Sequence, residues 1–160
     1  MLDDLGNIGD FLGGIGVVVT LAYLAIQIRK NTQSVRSSAL DSVSSSISDF
    51  MDRVSQDPVL TDLWFAGLSG TVELSESENQ RFNLLLLSLV RRWENAFHQG
   101  RAGVLESASW SGMGNGLTFV LSAPGAQAWW KRSRGLFSPD FASFLERSVE
   151  AMRDSSESAA

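Results

Sequence analysis

Four residues in the middle of this chain have the types and spacing to move protons. Arg91, Glu94, Asn95 and His98 lie within two turns of a helical pattern, with Glu94 and His98 four residues apart. A carboxylate and an imidazole on adjacent turns can act as general acid and base when their pKa values are displaced toward neutrality. The same spacing has a plainer use, because polar pairs at i,i+3 and i,i+4 link neighbouring turns of ordinary helices. His98 is the one histidine, and there is no cysteine. A zinc site takes three or four His, Cys or carboxylate ligands, so one His and one carboxylate are too few. Lack of cysteine also removes disulfides and thiol catalysis, and it suits a reducing compartment. The expectation is a polar seam of Arg91, Glu94, Asn95 and His98 that sets helix register, with no catalytic, metal or cofactor-binding residue and no enzymatic activity.

Two further groups invite a functional reading. Gly112, Gly114 and Gly116 alternate with other residues, yet no strand precedes them and no lysine-serine end is present, so they do not make a phosphate loop. Close backbone approach or local flexibility accounts for them. Trp129, Trp130, Lys131 and Arg132 pair aromatic with basic side chains, joined by Arg134. Such a cluster suits the surface of an anionic leaflet, where each basic residue contributes about 1 kcal/mol. The competing expectation is that the tryptophans pack inward while the cations complement a helix C-terminus, and packing is favoured for at least one Trp.

The elements that must position these residues begin with an apolar run. Phe11 to Ile28 reads FLGGIGVVVTLAYLAIQI, eighteen positions without a charge, and Arg29 and Lys30 come directly after it. At about 1.5 Å per residue, such a helix approaches the roughly 30 Å of a bilayer core. It also satisfies its own backbone in hydrocarbon. A signal peptide would need a basic leading region, whereas Asp3, Asp4 and Asp10 come first. A buried core helix is the other alternative. Arg29, Lys30 and Arg36 lie after the run and no basic residue precedes it. The positive-inside bias therefore places the C-terminal domain in the cytoplasm, with the N-terminus outside. Gly6, Gly9, Gly13, Gly16 and Thr20 recur at spacings of three and four. They form one stripe of small residues, the kind of surface through which lipid-embedded helices approach closely. The expected partners are thus the bilayer, a second copy of the chain, and an unidentified membrane protein. A net charge of −5 without a basic stripe argues against nucleic acid.

Beyond residue 30 the signals are helical. Residues 31–56 run without Gly or Pro, with Leu40, Val43, Ile47, Phe50 and Val54 on one face, and Asp57-Pro58 ends the run. A short helix is predicted from Pro58 to Leu68, with Trp64 and Phe65 inward. Ser75-Glu76-Ser77-Glu78 is a capping box that opens a helix over 76–99. The inner face of that helix carries Phe82, Leu85, Leu86, Leu89, Trp93, Ala96 and Phe97. Leu84, Leu87 and Val90 make its middle apolar nearly all round, as in a central buried helix. Further helices are predicted over 107–121, from Pro124 to Gly135, and from Ser138-Pro139 onward. The fold class is all-α: an anchor over 1–30, a cytoplasmic helical bundle over 31–155, and a frayed tail over 156–160.

The segments GIGVVVTLAYLAIQIRKNT (14–32), RRWENAFHQGRAG (91–103) and PGAQAWWKRSRGLFSPDF (124–141) together resemble a widespread family of uncharacterised bacterial single-pass membrane proteins. The resemblance covers nearly the whole chain in order and implies one membrane helix followed by a helical domain. It carries no activity and no functional residues across. SGMGNG at 111–116 differs from that group. The function expected is a membrane-tethered homo-oligomeric scaffold or interaction protein. The alternatives are an oligomeric pore, for which only Asp10, Thr20 and Gln27 supply polarity along the run, and a ligand-sensing bundle built on the Arg91 to His98 seam.

Overall fold

The computed structural model describes the backbone of residues 2–105 and 107–157, and the side-chain surroundings of residues 13–105 and 114–155. The surroundings of Gly6, Gly9, Asp10, Trp110, Gly112 and Met113 therefore lie outside the described residues, as do those of the tail over 156–160. The described chain is all-helical: α1 (Leu2–Gln56), α2 (Pro58–Ser69), α3 (Glu76–Arg101), α4 (Ser107–Ser122), α5 (Pro124–Ser133), a 3-10 turn (Arg134–Leu136) and α6 (Pro139–Glu157). It divides into two compact units, residues 1–38 and residues 39–160, and α1 contributes to both.

In the first unit every described residue, 13 to 38, is exposed. An 18-residue window of this helix reaches a mean hydropathy of 1.2 with none of it buried, so it is long and apolar enough to cross a membrane. It is not tucked into the core of this chain. Val17, Val18, Val19, Leu21, Ile26 and Ile28 are each more than half exposed. Two polar side chains of the apolar stretch bond within the helix: Thr20 Oγ1 donates to the Gly16 carbonyl at 2.8 Å, and Gln27 Nε2 donates to Tyr23 Oη at 2.7 Å.

The second unit is organised by short-range signals and closed by long-range packing. Asp57 caps α2, its Oδ1 accepting from the backbone N–H groups of Val59 and Leu60, and Pro58 stands at the first helical position. Gly70, at φ 64, ends α2 in the left-handed conformation that glycine adopts without a steric penalty. Ser75 and Glu78 form the reciprocal capping box, with Ser75 N–H donating to Glu78 Oε2 at 2.8 Å. Hydrogen bonds from the Ser75 hydroxyl and N–H hold the Glu78 carboxyl below its ordinary value.

The core is continuous from Phe50 and Val54 of α1 through Trp64 of α2 to Leu86, Val90, Trp93 and Phe97 of α3. It extends to Leu117 and Leu121 of α4, Trp129 of α5, and Phe141 and Leu145 of α6. Val43, Ala96 and Leu105 form a smaller cluster beside it. Two expectations are corrected. Phe65 is 65% exposed, because α2 buries Leu63, Trp64 and Gly67, and a residue one step beyond Trp64 is turned about 100° away. Leu84 is also 65% exposed, lying about 200° round the helix from Phe82. The middle of α3 is thus not buried all round, although its sequence is apolar nearly all round.

Candidate functional site

Arg91, Glu94 and His98 of α3 enter a contact network that also reaches partners remote in sequence. Glu94 is the one buried charged residue among the described residues. Its Oε2 accepts from Arg91 Nη1 at 2.6 Å, and its Oε1 accepts from the backbone N–H of Ser138 at 2.7 Å. Arg91 reaches further, donating from Nη2 to the Leu136 carbonyl at 2.6 Å and lying 4.8 Å over the Phe137 ring. His98 Nε2 is 3.2 Å from Ser138 Oγ. Asn95 is exposed and stands outside this cluster. The network therefore holds residues 136–138, the corner between the 3-10 turn and α6, against α3.

A serine, a histidine and a buried glutamate in one cluster raise the question of nucleophilic catalysis. The geometry does not form a relay. In a working triad the hydroxyl and the carboxylate engage opposite ring nitrogens, so that the acid orients the base. Here Ser138 Oγ and Glu94 Oε1 both approach Nε2 of His98, at 3.2 and 4.0 Å. Both oxygens of Glu94 are already engaged, one by Arg91 and the other by the Ser138 N–H. Burial alone would raise the Glu94 carboxyl, but those hydrogen bonds and the Arg91 charge outweigh it and hold the group below its ordinary 4.5. A carboxylate held ionised beside the first turn of α6 also complements the helix dipole. The cluster braces the fold.

Replacing Glu94 with alanine leaves the Ser138 N–H without its acceptor and frees the Arg91 fork. The expected loss is about 1–3 kcal/mol at neutral pH, read as a lower urea midpoint for the full chain in detergent. The pH dependence has a definite sign. A carboxyl depressed in the folded state stabilises above its unfolded pKa, and this contribution is lost as pH falls through the folded value. The gap between wild type and Glu94→Ala should therefore be complete above pH 4.5 and close below it. A gap unchanged at lower pH would remove the carboxylate from this account.

The aromatic and basic cluster is split by the fold. Trp129 is 2% exposed and belongs to the core. Trp130 stacks on Phe137 at 5.3 Å and donates from Nε1 to Glu146. Arg134 pairs with the same carboxylate, and this bond is the main reason the Glu146 carboxyl lies below its ordinary value. Both tryptophan rings pack, in line with the reading favoured for at least one of them: they are engaged around Phe137, while Lys131, Arg132 and Arg134 are exposed. Phe137 and Glu146 complete this hub from outside the cluster that the residue types marked.

The stripe of small residues on α1 is open where it is described. An added Cβ at Gly13 or Gly16 meets nothing within 4 Å, and Thr20 is exposed on the same helix.

Sequence reasoning missed one apolar face of the second unit. A groove of 860 Å³ lies between α1 near Met51, α2, and the C-terminal half of α4. Among its lining residues Met51 is 48%, Phe65 65% and Phe119 75% exposed. One positional signal could have found it: Phe119 lies out of phase with Leu117 and Val120.

Comparison of the chain with protein-family models, curated proteins and solved structures finds no match.

Proposed function

We propose that this chain is a non-catalytic, membrane-tethered scaffold that assembles with copies of itself. Residues 13–28 belong to its span, and the bundle from residue 39 onward lies on the cytoplasmic side. The observation that carries this reading is the uncovered apolar helix of the first unit. Every described residue over 13–38 is exposed, including a run of bulky aliphatic side chains. Water does not tolerate such a surface without a cover of lipid or protein. The internal hydrogen bonds of Thr20 and Gln27 suit hydrocarbon, where an unpartnered polar group is costly. The basic residues Arg29, Lys30 and Arg36 after the span support the orientation. The glycine stripe offers a surface for close helix approach, and the braced second unit a rigid body for interaction.

Three measurements test this. In isolated membranes the full chain should stay in the pellet after alkaline carbonate washing. Release into the supernatant would sink the membrane reading. For orientation, the natural absence of cysteine makes Ser37→Cys a clean reporter. A membrane-impermeant maleimide should label it only after the cells are permeabilised, and labelling of intact cells would reverse the proposed topology. Self-association is read from the oligomeric state in lipid nanodiscs, where wild type should exceed a monomer and Gly9→Leu with Gly13→Leu should shift toward one.

A further inference from the structure

We draw no further inference here: the strongest candidate, the apolar groove between α1, α2 and α4 from which Phe65 and Phe119 project, carries nothing because nothing in the structure shows what covers it.

Discussion

Phe141→Ala should cost about 3–5 kcal/mol, the usual range for deleting a fully buried aromatic ring. Phe141 is 0% exposed and is among the largest fully buried side chains. Its ring meets Phe97 of α3 at 5.5 Å and Phe137 at 6.0 Å, so truncation empties the junction of α3, α6 and the corner that Glu94 braces. The ring lies in a network of helices that cannot easily collapse around the void, which places the loss toward the upper part of that range. Urea unfolding of the full chain in detergent, followed by tryptophan fluorescence, measures it. A change under about 1 kcal/mol would mean that the corner is not packed as described. Phe119→Ala is the contrast: that ring is 75% exposed, and in a monomer its removal should be nearly neutral.

Gly125→Ala should cost about 3 kcal/mol or more, although alanine is ordinarily the better helix residue. A Cβ at Gly125 would lie 1.8 Å from the Gly67 carbonyl oxygen and 3.1 Å from that of Leu68. Both obstacles are backbone, so no rotamer change relieves the clash and α2 and α5 must separate. Overpacking in a core commonly costs about 1–3 kcal/mol, and a contact this close belongs at or past the top of that range. Gly67 is constrained from another side, where a Cβ would enter the Phe82 ring at 2.4 Å. Gly114 serves as the control. Nothing lies within 4 Å of its added Cβ and it sits inside α4, so Gly114→Ala should gain about 0.5–1 kcal/mol. Opposite signs for the two substitutions in one thermal melt series would establish the close helix crossing. Equal signs would refute it.

Much of this fold was legible because its signals are local. A capping box needs only Ser75 and Glu78. A helix start needs only Asp57 and Pro58. The inner face of α3 follows from the 3.6-residue repeat of Phe82, Leu86, Leu89, Trp93 and Phe97, all of which the structure buries. The seam was legible in part. The Arg91–Glu94 pair follows from its spacing, whereas the Ser138 N–H on Glu94 is 44 residues away and leaves no local trace. Phe65 was misplaced because hydrophobicity alone does not tell which of two adjacent aromatic residues faces a core. Leu84 was misplaced because an all-round apolar segment has no phase.

The amino-acid sequence by itself determined properties set within a few residues: where helices begin and end, which repeat faces inward, and one uncharged run followed by cations. The tertiary structure alone decided which glycines are irreplaceable, which tryptophan is buried, and which apolar ring is left facing out. Hydrogen bonds at a cap and the pitch of a helix act over one or two turns. The approach of α5 to α2 at Gly125, or the closing of Ser138 onto Glu94, depends on the simultaneous placement of several helices, and excluded volume settles it only once they are packed together.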